Sequence, residues 1–258
     1  DPQTGHHSMN IPVDVSAIER IEVIKGAGAR VYGQNSLAGV INIITKNPEE
    51  TFVIAKAIGG DFNLSDFTVS AGLNQKNSKH FLSINNSAST GYKFNTDYNI
   101  TNAFYSVKFG GYRKKYPRPS HKRPRFELMA GFTERKFGAN GFYASPDFID
   151  QYEEIQTSVV SLKYNGYLTR NTKFTLGTYW RRNQDEYVFL RFQPEVFRNM
   201  HIGNTAGINF NSVNYNKLGQ TGFGADLSRV WIQSNNLGNR TRNIQTAFLE
   251  HKFSLAKD

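Results

Sequence analysis

Apolar and polar residues alternate along most of this chain, in segments of about ten residues separated by turn-forming clusters, and few folds accommodate that pattern. Phe67, Val69, Ala71 and Leu73 alternate with Asp66, Thr68, Ser70 and Asn74. Ala103, Tyr105, Val107 and Phe109 alternate with Asn102, Ser106 and Lys108, and Phe126, Leu128, Ala130 and Phe132 with Glu127, Gly131 and Thr133. The same period runs through 174–180, 206–210 and 223–227, and 51–60, 80–89, 154–164 and 244–253 complete the set. Each segment is near the ~9–11 residues that a tilted strand needs to cross a bilayer. Neighbouring side chains of a strand point to opposite faces, so each segment is apolar on one side and polar on the other. Helical periodicity is nowhere sustained, and no run approaches the ~18 apolar residues of a membrane helix. The mean hydropathy of -0.53 is that of a soluble protein, yet 14% of residues are aromatic, 20 Phe and 13 Tyr among them. A transmembrane barrel reconciles the two, because each strand shows lipid one face and a wet lumen the other.

The links between segments alternate in length. Short ones fall at 75–79, 165–171 and 214–220, longer ones at 90–100, 138–152, 187–203 and 234–241. Outer-membrane barrels have short periplasmic turns and long outer loops, so parity predicts every long link outside. The link at 110–124 breaks the rule: it carries Arg113, Lys114, Lys115, Arg118, Lys122 and Arg123 with three prolines, on the side where turns are short. With Arg125 it holds seven of the 31 basic residues, and without them the net charge of +10 falls to +3. Such a segment has the charge to bind nucleic acid or lipid phosphates. Tyr112 and Tyr116 form no stacking motif, so a solvated insertion is expected and no nucleic-acid partner.

The stretch 18–46, IERIEVIKGAGARVYGQNSLAGVINIITK, differs in kind. Ile18, Arg20, Glu22 and Ile24 share one face, and Glu19, Ile21, Val23 and Lys25 the other, as in a strand. Gly26 and Gly28 supply the positive φ or close approach of a turn, and 29–32 has room for one helical turn. Gly39 reopens a strand whose Val40, Ile41, Ile43 and Ile44 are too apolar for exposure on either side. A buried strand, turn, short helix and strand are expected. A phosphate cradle is not, since neither GxGxxG nor GxxxxGK[ST] is present and no long helix follows. Asn47-Pro48-Glu49-Glu50 ends the stretch, because proline does not sit inside a central strand.

Taken in order, IERIEVIKG, then small residues with Arg30, then Tyr32-Gly33, then the strand from Gly39 through Asn42 to Lys46, this stretch closely resembles the end of the plug domain of TonB-dependent outer-membrane receptors. FGANGFYASPDFIDQYE, at 137–153, is similar to an outer loop of such receptors of the Bacteroidetes type. The resemblance implies an all-β-dominated fold. Residues 1–48 would be the C-terminal part of an α+β plug, and 49–258 the N-terminal portion of an antiparallel transmembrane β-barrel, about ten of roughly 22 strands. It implies a fragment whose signal sequence and TonB box lie upstream. It also implies active uptake of a scarce, bulky ligand across the outer membrane of a Gram-negative cell: a ferric siderophore first, else cobalamin or haem. The expected partners are the TonB complex, a small-molecule ligand such as a metal chelate, and outer-membrane lipid.

Within the plug stretch, Arg20, Glu22 and Arg30 are expected to pair with the barrel wall, since partly buried ions need partners. Gly26, Gly28, Gly33 and Gly39 set backbone geometry, and Tyr32 and Asn42 complete the motif. Aromatics at outer loops are the candidate ligand contacts: Tyr92, Tyr98, Phe142, Tyr143 and Tyr187, with Arg191 and Arg198 for anionic ligands such as ferric catecholates. Tyrosine also forms the aromatic girdles of membrane barrels. No catalytic residue, cofactor or metal site is expected. There is no GxSxG or HExxH, the chain has no cysteine, and its six histidines show no ligand spacing. Residues 1–17 are loop-like, and two adjacent histidines, His6-His7, do not by themselves make a metal site, so a plug loop is expected there. Asp147, Asp150, Glu153 and Glu154 lack EF-hand spacing, so a solvated acidic loop is expected. The rival readings are a non-transporting barrel, such as an adhesin or lipid hydrolase, and a soluble carbohydrate-binding β-protein. In the latter the apolar faces would point into a core.

Overall fold

The computed structural model describes residues 10–26, 38–110, 125–143 and 145–254. The helical turn expected at 29–32, Gly28, Arg30, Tyr32, Gly33, the pair His6-His7 and the basic stretch 111–124 lie outside them.

Two sheets form. β1 (Ile18–Lys25) and β2 (Gly39–Thr45) pair antiparallel, with Ile21 opposite Ile43, Val23 opposite Ile41 and Glu22 opposite Asn42. The turn after β1 begins at Gly26, whose φ of 89° is open to glycine and strained for other residues. At Gly39 a Cβ would stand 2.7 Å from the Ile24 carbonyl oxygen, so the close strand approach requires glycine. The expected burial on both faces does not hold: Ile21, Val23 and Ile41 are 56%, 67% and 60% exposed. Two strands make one layer, and no described element covers the face that these residues share.

The second sheet holds ten strands in strict sequence order. They are β3 (Phe52–Gly60), β4 (Leu64–Asn74), β5 (Ser78–Ser89), β6 (Tyr98–Phe109), β7 (Arg125–Gly138), β8 (Tyr152–Tyr167), β9 (Thr172–Val188), β10 (Arg198–Asn216), β11 (Gly219–Ser234) and β12 (Arg240–Phe253). Every neighbouring pair is antiparallel. The short links 75–77, 168–171 and 217–218 lie at one end of this wall, here the turn end. The links 90–97, 139–151, 189–197 and 235–239 lie at the other, the rim, where 61–63 is short as well.

Burial runs opposite to that of a soluble sheet. On β4, Phe67 is 55% exposed while Thr68 and Ser70 are buried, and on β5, Leu82 and Ile84 are exposed while Ser83 and Asn85 are buried. Phe126, Phe132, Val160, Leu162, Leu176, Trp180, Ile208, Phe223, Leu227 and Leu249 continue the outward apolar face across the remaining strands. At its turn end a row of rings runs from strand to strand, with centroids 4.6 Å apart for Phe126–Tyr164, 5.5 Å for Tyr164–Phe174, 6.0 Å for Phe174–Phe210 and 6.2 Å for Phe210–Phe223. An apolar exterior bordered by aromatics is what a lipid-facing barrel wall needs. A dry core between two stacked sheets is not what these residues build.

The strands beyond β6 exceed the expected ~9–11 residues: β7 has 14, β9 has 17 and β10 has 19. The excess lies at the rim, where outward residues become polar: Glu134 and Lys136 on β7, Arg182, Gln184 and Glu186 on β9. With both faces polar the apolar alternation stops, although the backbone ladder continues. The membrane-spanning part of the wall is therefore the apolar band, for example 158–164 on β8 and 174–180 on β9, and the rim stands clear of it.

Residues 10–17, which lead into β1, pack against the ten-stranded sheet. A short 3-10 turn (Val15–Ala17) is capped by Asp14, whose Oδ1 accepts from the Ser16 N–H at 2.7 Å. Ala17 is fully buried against Phe81 and Phe104, with Val13, Phe52 and Met129 around them. Further along the inner face of β7, a Cβ on Gly131 would meet the Pro12 carbonyl oxygen at 2.6 Å, and Arg135 Nη1 donates to Asn10 Oδ1 at 3.3 Å. Ser16 and Ser83 hydroxyls lie 2.8 Å apart. This segment is thus seated on the inner face of β4–β7.

Candidate ligand-binding mouth

Three rim links meet at Arg191 and Asn95. Arg191, in 189–197, pairs both arms with Asp97, at 2.5 Å and 2.8 Å, and donates to Asn95 Oδ1 at 2.9 Å. Its guanidinium lies 4.3 Å from the Tyr152 ring centroid, and its backbone N–H donates to the Asp150 carbonyl. Asn95 extends the clamp to 139–151, donating to the carbonyls of Ile149 at 2.8 Å and Gln151 at 2.6 Å. It adopts a positive φ of 54°, which asparagine tolerates better than most residues. The Arg191 hydrogen bonds hold the Asp97 carboxyl below the usual carboxylate range, against the opposing effect of its partial burial.

Next to this clamp, three of the aromatics expected from sequence come together. Phe142 packs edge-on against Tyr143 at 4.7 Å, and Tyr143 against Tyr187 at 5.4 Å. Phe142 is 73% exposed. Beneath them Tyr143 donates its hydroxyl to Glu153, which also shares a hydrogen bond with Asp185. Register explains the grouping: Glu153 lies opposite Tyr187 and Ile155 opposite Asp185, so the acids sit one rung apart on the inward face of β8 and β9. Burial raises the Glu153 pKa, and the bonds to Tyr143 and Asp185 work against that rise. Burial, and then the bond to Glu153, push the Tyr143 phenol up as well.

A pH dependence follows. A buried acid with a raised pKa binds a proton in the folded rim that it has released in the open one, so rim stability falls as pH rises above the unperturbed 4.5 toward the raised value. Inside that window the slope is about 1.4 kcal/mol per pH unit for one proton. Glu153→Gln keeps the acceptor for Tyr143 and removes the charge. The protection factors of amides in 139–151, which correct hydrogen exchange for its intrinsic rise with pH, are expected to fall between pH 4.5 and 8 in the wild type and to stay flat in the variant. Equal slopes would contradict this assignment.

The remaining expected residues are scattered. Tyr92 is 67% exposed, with the Lys93 ammonium 5.4 Å from its ring. Tyr98 begins β6 on the inward-facing register of Asn102 and Phe104, opposite Phe137. Arg191 is occupied by Asp97 instead of standing free for an anion. Arg198 stands on the outward register of β10, its guanidinium 3.3 Å from Glu186, and so lies on the outside of the wall. Arg20 bonds Glu22 at 2.9 Å and Glu19 at 3.3 Å, and Glu22 accepts from Asn42 at 3.0 Å. Among the described residues these charges pair within the hairpin and not with the wall. The expected solvated acidic loop also divides: Glu153 is buried and inward, whereas Glu154 faces outward, 3.7 Å from Lys136. Among the described residues no group of three or more His, Cys, Asp or Glu is placed to hold a metal ion. Sequence reasoning missed Asn95, Asp97 and Asp185, whose roles depend on which strands and loops become neighbours.

No family model matches the chain. Vitamin B12 transporter BtuB of Vibrio vulnificus is 48% identical over 54 residues, 20% of this chain and 9% of that protein. Metal-pseudopaline receptor CntO of Pseudomonas aeruginosa is 38% identical over 56 residues, 21% and 8% of the two. Among solved structures, the siderophore receptor PiuA from Acinetobacter baumannii aligns with 84% of this chain at a TM-score of 0.64 and 15% identity. The ferric-catecholate import receptor Fiu from E. coli, in its open form, aligns with 84% at 0.63 and 15% identity. The chain covers 36% and 40% of those two structures, so it spans well under half their length. Those structural likenesses establish the barrel fold, and the sequence matches concern the family.

Proposed function

We propose, from the premise that this chain belongs to the TonB-dependent outer-membrane receptors, that it contributes part of a plug and a barrel wall to active uptake of a scarce, bulky metal chelate. The observation that carries this reading is the seat of residues 10–17, which lead into the β1–β2 hairpin, on the inner face of the wall, through an apolar cluster around Ala17 and a hydroxyl pair of Ser16 with Ser83. A wall with a globular element seated inside it is no open pore. It binds cargo at the rim and is unplugged by work done from within, and that work is assigned to the TonB complex. The Gram-negative outer membrane is the corresponding location, with residues 1–48 assigned to the plug and 49–258 to the barrel.

Phe142, Tyr143 and Tyr187 are the proposed ligand contacts, with Tyr92 and Tyr98 at the same rim. Arg191 orders the loops and does not meet the cargo. A ferric siderophore remains the first assignment, with cobalamin or haem next. The adhesin alternative gains nothing from the seated segment, and the carbohydrate-binding alternative conflicts with the exposed apolar band. In the receptor, Phe142→Ala and Tyr187→Ala are each expected to weaken ligand binding about tenfold, the scale of an aromatic anchor. The ligands to be titrated are ferric siderophore, cobalamin and haem. Iron starvation is expected to raise expression; unchanged levels would remove siderophore and haem from first place.

A further inference from the structure

Both tryptophans of the chain stand on the outward face, two strands and one rung apart. Asn204 of β10 lies between them, opposite Arg182 on one side and Trp231 on the other, while Ala206, one rung toward the turn end, lies opposite Trp180 and Arg229. The Trp180 indole donates to Asn204 Oδ1 at 3.2 Å, and the Arg229 guanidinium lies 6.0 Å from the Trp231 ring centroid. Below this group the outward face is apolar, with Leu176, Ile208 and Leu227 exposed. Above it stand Gln184, Glu186 and Arg198. The group therefore marks the boundary between hydrocarbon and headgroups, where tryptophan concentrates.

The charges at this boundary are uneven. Lys136 and Arg198, the other outward cations of the rim, each meet a carboxylate. Among the described residues Arg182 and Arg229 form no ion pair, and Arg182 donates to the neutral Gln184 at 2.8 Å. Sheet spacing puts their Cα atoms about 12 Å apart across β10, within the joint reach of two arginine side chains. A guanidinium fork suits phosphate oxygens. We propose that Arg182 and Arg229, flanked by Trp180 and Trp231 around Asn204, bind the phosphomonoester of a phosphorylated lipid headgroup in the outer leaflet. The two rings set the depth of the sugar or glycerol above the band, and the two forks neutralise the phosphate. Charge complementarity and the height of the site name this occupant; the site lies on the opposite face of the wall from the ligand mouth and is independent of which cargo is carried.

The test uses the receptor in detergent, offered lipid A, the same lipid without its phosphates, phosphatidylcholine or inorganic phosphate, with retained adducts read by native mass spectrometry. Lipid A is expected to be retained at least tenfold more than its dephosphorylated form or phosphatidylcholine, and inorganic phosphate at the same concentration is expected not to displace it. Double substitution Arg182→Gln with Arg229→Gln is expected to remove the preference, and Arg182→Lys with Arg229→Lys to keep a fraction of it. Equal retention of phosphorylated and dephosphorylated lipid by the unmodified receptor would overturn the assignment without depending on any variant's folding. Displacement by inorganic phosphate, or undiminished preference in the glutamine variant, would overturn it too.

Discussion

Arg191→Ala is expected to loosen three rim links at once. The side chain supplies two charge-assisted bonds to Asp97, one bond to Asn95 and a stacked contact with Tyr152. Hydrogen bonds to charged groups contribute about 1.5–3 kcal/mol each where buried, and exposed ion pairs far less. Arg191 and Asp97 are 26% and 37% exposed, between these limits, so a loss of about 2 kcal/mol is the expected scale. That corresponds to roughly thirtyfold faster opening-limited hydrogen exchange in 90–97, 139–151 and 189–197. Arg191→Lys retains the charge but not the fork, and is expected to recover less than half. The effect should fade in acid. Arg191 lowers the Asp97 pKa, so the clamp contributes fully above the unperturbed 3.8 and is lost as pH falls through the lowered value. Unchanged exchange in Arg191→Ala would mean that the links are held by other contacts.

The second large effect is expected at Gly131. A Cβ there would stand 2.6 Å from the Pro12 carbonyl oxygen and 3.1 Å from Pro12 Cγ, and backbone cannot swing aside as a side-chain tip can. Gly131→Val must therefore lift residues 10–13 from the wall, at a cost on the scale of about 1–3 kcal/mol for overpacking. The contact of Arg135 with Asn10 is lost, and Ala17 is drawn away from Phe81 and Phe104. Limited proteolysis is expected to cut within 10–17 in Gly131→Val and to spare the segment in the parent. Neighbouring Ala130→Val, on the outward face, serves as the control, since it adds volume where the wall meets lipid. Equal protection in both would show that the segment is not seated through β7.

These residues also mark how far sequence carries. All ten wall strands and the β1–β2 hairpin are legible, because hydrophobic alternation and the boundary at Pro48 are local properties of the chain. The faces are legible too: Phe67 and Leu162 point outward and Ser83 inward, as a period of two requires. Strand ends are not, since β9 continues through Arg182, Gln184 and Glu186 after its outward side turns polar. Phe142, Tyr143 and Tyr187 are legible as rim aromatics, but the buried acids beneath them are not. Glu153 and Asp185 meet only because β8 and β9 pair in one register. The Arg191 clamp likewise joins residues 94 positions apart in sequence. Arg198 illustrates the cost of lacking the register, since its place on one face or the other decides whether it overlooks the lumen or the membrane.

The central claim is that this wall has lipid outside and water inside, and adjacent residues of one strand test it most directly. The chain has no cysteine, so spin labels can be placed singly at Leu162→Cys and Lys163→Cys on β8. Leu162 is on the exposed apolar face and Lys163 on the opposite one. Collision rates with oxygen, which concentrates in lipid, and with a water-soluble nickel chelate are then measured in membranes. The wall described here predicts oxygen-dominated relaxation at 162 and nickel-dominated relaxation at 163. Labels at both positions that respond alike to the nickel chelate, or a reversal of the two, would contradict it.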